Sequence, residues 1–102
     1  MVTVIFRSRL KQEALSGPLK LEYEEWANRM IEMAKKHPGF RSIKTFAADD
    51  GERVSISEFD SEESAQAWKQ VPEHLEAQKR GREAFYSEYR VQICEVLRDY
   101  SV

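Results

Sequence analysis

The run Ala67–Tyr86, AWKQVPEHLEAQKRGREAFY, brings together one of the two tryptophans, one of the two histidines and several hydrogen-bonding side chains around a proline. His74 stands two residues after Pro72 and six after Trp68. A neutral imidazole near pH 7 accepts a proton from an acidic phenol or an activated carbon, which makes His74 a candidate general base or orienting donor. A position near a helix N-terminus would lower its pKa and favour that neutral form. The structural alternative is a histidine that hydrogen-bonds a neighbour and fixes the Pro72 turn. Trp68 likewise reads two ways, as core or as a ring that stacks on a planar aromatic ligand; a cavity wall can be both. Gln78 and Arg82 lie one turn apart and can point along a cavity, although a solvated face is the ordinary place for an arginine. Tyr86 and Tyr89 can donate to a ligand oxygen or pack at an interface. Arg7 and Arg9 can hold a carboxylate or phenolate, or join ion pairs at the surface or between subunits.

Several chemistries find no support. Two histidines 37 residues apart and a single cysteine do not make a usual zinc set, and there is no H-E-x-x-H. Neither a G-x-G-x-x-G nor a P-loop is present, so there is no nucleotide fingerprint, and no G-x-S-x-G elbow occurs. Cys94 falls in a strand with no cue for activation. The net charge of −2 lacks the basic excess that a phosphate backbone needs, so no nucleic-acid partner is expected. With 41% hydrophobic and 33% charged residues, the composition is that of a soluble globular domain. No apolar run is long enough for a membrane span or a signal-peptide core, and a lone cysteine fits a reducing compartment; the expected location is the cytoplasm.

These residues need elements to position them. At 102 residues, one domain spanning 1–102 is expected. Val2–Arg9 alternates as a strand, with Val2, Val4 and Phe6 on one face and Thr3, Ile5 and Arg7 on the other. Leu19–Lys36 reads as a helix whose stripe is Leu19, Tyr23, Trp26, Met30, Met33 and Ala34, ended by His37-Pro38-Gly39. That stripe is ordinarily core, and its Trp26 and Met30 can also floor a pocket, since methionine tolerates irregular surfaces. Phe40–Ala48 and Arg53–Phe59 form a hairpin through Asp50-Gly51. Asp60 is placed as the cap of a helix reaching about Gln70, with Glu63 completing a capping box. Pro72 begins a second piece to about Phe85, with Leu75, Gln78, Arg82 and Phe85 as its stripe. Gly81, unfavourable inside a helix, implies close packing against the sheet. Tyr89–Val96, or as far as Tyr100, is the last strand.

The order β-α-β-β-α-β predicts an α+β fold: a ferredoxin-like, four-stranded antiparallel sheet with its helices on one face. Apolar residues fall on both faces of the strands: Phe40 and Phe46 against Ile43, Val54 and Ile56 against Phe59, Val91 and Ile93 against Cys94 and Val96. The face without helices needs cover, and a homodimer joined sheet to sheet supplies it.

The motifs His37-Pro38-Gly39-Phe40, Asp50-Gly51, Ser61-x-Glu63-x-Ala65-x-x-Trp68, Pro72-Glu73-His74, Ala77-Gln78, Gly81-Arg82 and Phe85-Tyr86 together resemble the antibiotic biosynthesis monooxygenase family, along nearly the whole chain. The resemblance implies a dimeric α+β barrel with a cavity between helices and sheet in each subunit. Members of the family include enzymes that oxygenate anthrones and quinols without metal or flavin, and others that bind and degrade haem. The haem-degrading branch uses an asparagine on the first strand, a tryptophan and a helical histidine. Trp68 and His74 match two of these, but Ser8 stands at the strand position, so haem is disfavoured and no cofactor is expected. The implied reaction is cofactor-independent monooxygenation of a planar anthrone- or quinol-type substrate. In it His74 assists deprotonation, Trp68 positions the ring, and Ser8 or Arg9 stabilises the developing oxyanion, with Trp26, Met30 and Gln78 also contacting substrate. The alternative is a non-catalytic dimeric module that binds a hydrophobic metabolite or haem. A continuous pocket reached by His74 and Trp68 would favour catalysis or binding over a purely structural barrel.

Overall fold

A computed structural model describes residues 1–102. Its elements are β1 (Val2–Leu10), α1 (Gly17–Lys35), β2 (Phe40–Ala47), β3 (Arg53–Phe59), α2 (Glu62–Lys69), α3 (Pro72–Arg80) and β4 (Tyr86–Glu95). A 3₁₀ turn at Gln12–Leu15 links β1 to α1, and a π-helical turn at Gly81–Phe85 links α3 to β4. The strands form one sheet in the order β2-β3-β1-β4, with every neighbour antiparallel. The expected α+β, ferredoxin-like subunit is therefore what the chain forms. No helix is long and apolar enough to cross a membrane.

Local chemistry explains most boundaries. Pro18 sits in the first turn of α1, where its missing N–H and fixed φ cost nothing. The helix ends as the His37 N–H returns to the Ala34 carbonyl at 2.9 Å, and Gly39 at φ +86 turns the chain into β2. The β2–β3 turn closes through Gly51 N–H to the Ala48 carbonyl at 3.0 Å, with Gly51 at φ +91. The Asp50 carboxylate accepts from the Glu52 N–H within the same turn.

Three expectations need correction. The cap of α2 is Ser61, not Asp60: Ser61 Oγ accepts from the Ser64 N–H at 3.1 Å, and Ser64 Oγ accepts from the Ser61 N–H at 3.2 Å. Two serines thus make the reciprocal box assigned to Asp60 and Glu63, and Asp60 pairs with Arg41 at 2.9 Å instead. The last strand begins at Tyr86, three residues early, because the π-helical turn absorbs the end of the helical run. The inward line of α3 is His74, Ala77, Gly81 and Phe85, while Leu75 is exposed. Gly81 is required because a Cβ there would lie 2.6 Å from Cε2 of Tyr86.

Register fixes the faces. Val2 pairs with Phe59, and with Ala65 of α2 they form the core, against which Val4, Phe40 and Trp68 pack. The face of Val2, Val4, Phe6 and Ser8 is therefore the helix-covered one, shared with Phe59, Ser57, Ser55 and Arg53 of β3. Phe59, 2% exposed, anchors it, and burying such a ring contributes about 1.5–3 kcal/mol. In β2 the register shifts between Phe40 and Ser42, so Phe40 and Ile43 share the covered face and Phe46 takes the other. A bulge moves every later side chain across the sheet, which strict alternation from Phe40 could not anticipate.

The uncovered apolar residues are also displaced from expectation. Val91 and Ile93 pair with Phe6 and Val4, so they point to the helix side, yet they remain 50% and 44% exposed. β4 is an edge strand, touched by α1 at Tyr86 but left open at Val91 and Ile93. The face away from the helices carries Ile5, Val54, Ile56 and Phe46 among ion pairs, notably Arg7–Glu52, Arg9–Asp50 and Arg9–Glu88. Only eight residues are fully buried, and the molecule is a slab 41 × 32 × 20 Å.

Candidate functional site

The α2–α3 corner is built around Trp68. Its indole stacks on the His74 ring at 4.4 Å with 19° between planes, and the His37 ring lies 5.6 Å away. Each imidazole donates to a carbonyl of α2: His74 Nδ1 to Trp68 O at 3.0 Å, and His37 Nε2 to Ser64 O at 3.2 Å. Four residues separate those carbonyls, one helical turn, so two histidines from different segments grip one helix. Pro72 makes this possible by starting α3 within a few residues of the end of α2.

A carbonyl oxygen only accepts, so the His74 proton resides on Nδ1 and Nε2 carries the lone pair. Nε2 has no protein partner, and no buried side-chain nitrogen or oxygen lacks one, so Nε2 opens to solvent. Burial holds the imidazole below its ordinary pKa by disfavouring the cation. The Trp68 carbonyl opposes that shift, and Lys69 adds slightly to it. The neutral form follows as expected, with burial as its largest cause. Chemically, His74 is a neutral base with a fixed tautomer and a free acceptor nitrogen.

The other candidates disperse. Gln78 donates to the Lys69 carbonyl at 3.1 Å and closes the end of α2. Trp26 Nε1 donates to Glu22, whose carboxylate also receives Arg80, with Nη2 to Oε1 at 2.8 Å. That network ties α1 to α3, and the Arg80 hydrogen bond holds the Glu22 carboxyl below its usual range. Met30 is half-buried on the same stripe. Ser8, 4% exposed, is on the covered face, but six residues, about 20 Å, beyond Val2 along β1. Arg9 lies on the opposite face, held by Asp50 and Glu88 at 2.8 and 3.0 Å. Ser8 and Arg9 therefore point to opposite faces of the sheet.

Two depressions lie elsewhere. One of about 250 Å³ is lined by Arg7, Ser8, Glu52, Glu88, Tyr89 and Arg90; one of about 320 Å³ lies among Val2, Asp60, Glu62 and Ile93. Trp68 and His74 line neither.

Reading the sequence missed three participants. By local pattern His37 is only a helix terminator, and neither Arg80 nor Arg53 stands out. Arg53 carries a recoverable signal: it stands six residues before Phe59 in an unbroken strand, which places it on the covered face. Its guanidinium lies 5.9 Å from the Tyr23 ring centre of α1.

Comparison with known proteins places these features. The sequence model of the family described as antibiotic biosynthesis monooxygenase matches residues 1–80. An uncharacterized protein, YqjZ, of Bacillus subtilis (strain 168) is 34% identical over 95 residues, covering 93% of this chain and 78% of that protein. Among solved structures, Rv0793 from Mycobacterium tuberculosis superposes with a TM-score of 0.81 at 21% identity, covering 98% of each chain. SnoaB, a cofactor-independent oxygenase from Streptomyces nogalater, superposes with a TM-score of 0.75 at 16% identity, covering 96% of this chain and 94% of that one. At such identities the two structures show a shared fold.

Proposed function

We propose that this chain, which belongs to the antibiotic biosynthesis monooxygenase family, is a cofactor-independent monooxygenase acting on a planar anthrone- or quinol-type substrate. The observation that carries the reading is His74: a half-buried, neutral imidazole whose Nδ1–H is committed to Trp68 O and whose Nε2 is free. Such a nitrogen takes the proton of an acidic phenol or anthrone carbon. The resulting anion is electron-rich enough to pass one electron to O₂. Recombination of the radical pair and loss of water then leave one oxygen atom on the ring. Trp68 orients His74 through the stack, and its exposed edge can receive a planar substrate. The similarity of fold to SnoaB supports the same reading.

The chain would act as a homodimer. Its small core, its thin slab and the exposed Tyr89, Val91 and Ile93 support this assembly. The strip that most needs cover is the helix side of β4, so the second subunit would reach that edge as well as the bare sheet face. Sedimentation should give twice the 12.0 kDa chain mass, and a monomer at micromolar concentration would overturn the assembly.

The decisive experiment measures oxygen uptake with a panel of anthrones and hydroquinones, for the native chain and His74→Ala. Loss of a general base lowers turnover by roughly 10²–10⁴-fold. Uptake that survives the substitution removes His74 from the mechanism. Saturable binding without uptake would instead support a module that holds a hydrophobic metabolite or haem.

A further inference from the structure

A second cluster lies toward the other end of the covered face, and the reaction proposed above does not use it. Arg53, at the start of β3, pairs across the sheet with Ser8, which pairs in turn with Tyr89. Tyr23 of α1 and Tyr86 at the start of β4 stand above this row. Their rings are 6.2 Å apart, with Tyr86 5.9 Å from Tyr89 and 5.5 Å from Phe6.

The charge here is unbalanced. Three arginines are part-buried: Arg9 is held by Asp50 and Glu88, Arg80 by Glu22, and Arg53 by no carboxylate. Arg53 also makes no hydrogen bond within the protein. Since no buried side-chain nitrogen lacks a partner, its guanidinium is reachable from outside. A guanidinium with no carboxylate beside it keeps its donors available to an anion from outside. The neighbouring phenols are donors: burial first, and then Tyr23, push the Tyr86 hydroxyl above its ordinary pKa, against the pull of Arg53, so it stays protonated. The walls are aromatic, from Phe6, Tyr23 and Tyr89.

We propose that Arg53, with Tyr23 and Tyr86 as hydroxyl donors, forms a binding site for the carboxylate of a small aromatic acid, whose ring lies against Phe6 and Tyr89. A guanidinium fork matches a carboxylate in two parallel hydrogen bonds, and phenol donors add to the same oxygens. Aromatic edges receive the ligand's ring. The site stands on these placements alone and does not require the oxygenase reading.

The test compares 2-naphthoate with its uncharged amide, 2-naphthamide, by calorimetry on the full chain, with amide chemical-shift mapping of the native protein. Native protein should bind the acid roughly tenfold or more tightly than the amide, as expected when charge-assisted hydrogen bonds form. Shifts should centre on Ser8, Arg53 and Tyr86. Arg53→Gln should erase the preference for the acid, Arg53→Lys should keep part of it, and Arg82→Gln, at an exposed position, should change nothing. Equal affinities for acid and amide, no binding of the acid at millimolar concentration, or shifts centred on His74 would each overturn the proposal. The native-protein arms decide the matter even if a variant fails to fold.

Discussion

At the α2–α3 corner, Trp68 lies between two imidazoles whose N–H groups both end on α2 carbonyls. At the α1–β4 end, the Arg53 guanidinium lies 5.9 Å from the Tyr23 ring, which neighbours Tyr86 and through it Tyr89, and no carboxylate pairs with it. Both regions mix aromatic and polar groups on the covered face of one sheet. They differ in what remains to be satisfied. In the first, each imidazole spends one N–H on an α2 carbonyl, which leaves the lone pair of His74 Nε2 without a partner. In the second, a whole positive charge is left for something outside. Under the two proposals above, the first region would move a proton and the second would hold an anion.

The comparison can be broken most forcefully at Phe59. It supports the Trp68 corner from below, and Phe59→Ala should destabilise the chain by about 3–5 kcal/mol in urea unfolding. A loss below about 1 kcal/mol would mean that the corner rests on other contacts. A smaller effect is expected at Gly81. Gly81→Ala forces the Tyr86 ring aside, and such overpacking costs about 1–3 kcal/mol. Because it displaces a donor of the second region, it should also weaken 2-naphthoate while leaving the reactivity of His74 intact; unchanged affinity would separate Tyr86 from that site.

The smallest effect sharpens the first region alone. Burial lowers the His74 pKa in the folded state, so below its ordinary value of 6.5 the unfolded chain binds the extra proton first. The contribution is intact above pH 6.5 and is lost progressively as pH falls from there toward the folded-state value. His74→Gln should flatten that part of the stability–pH curve, as followed by thermal unfolding at a series of pH values. An identical slope in the variant would place the titration elsewhere.

Much of the fold was legible because its signals are local. The stripe of α1, Asp50-Gly51, and Pro72 at a helix start are short-range patterns that follow backbone geometry. Legibility failed where equivalent local choices compete. Ser61 and Asp60 are both good caps, and the geometry of one turn selects Ser61. At the candidate site, the sequence brought out Trp68 and His74 because six residues and a proline force them together. It could not show that His37 also approaches Trp68, since His37 reaches the carbonyl of Ser64 across 27 positions.

The order of elements, the α+β architecture, Trp68 and His74 as candidates and the resemblance to the family were all legible in the chain. The order and architecture follow from periodicity and turn chemistry, and the resemblance rests on the motifs themselves. Only the tertiary structure decided which face each later strand residue occupies, because one bulge after Phe40 reverses the parity of β2. It alone placed Ser8 on the covered face and Arg9 on the other, since adjacent strand residues point oppositely. It alone gave Arg9 and Arg80 their carboxylates and left Arg53 without one, because such partnerships join positions far apart in the chain and are fixed by packing, which no local pattern encodes.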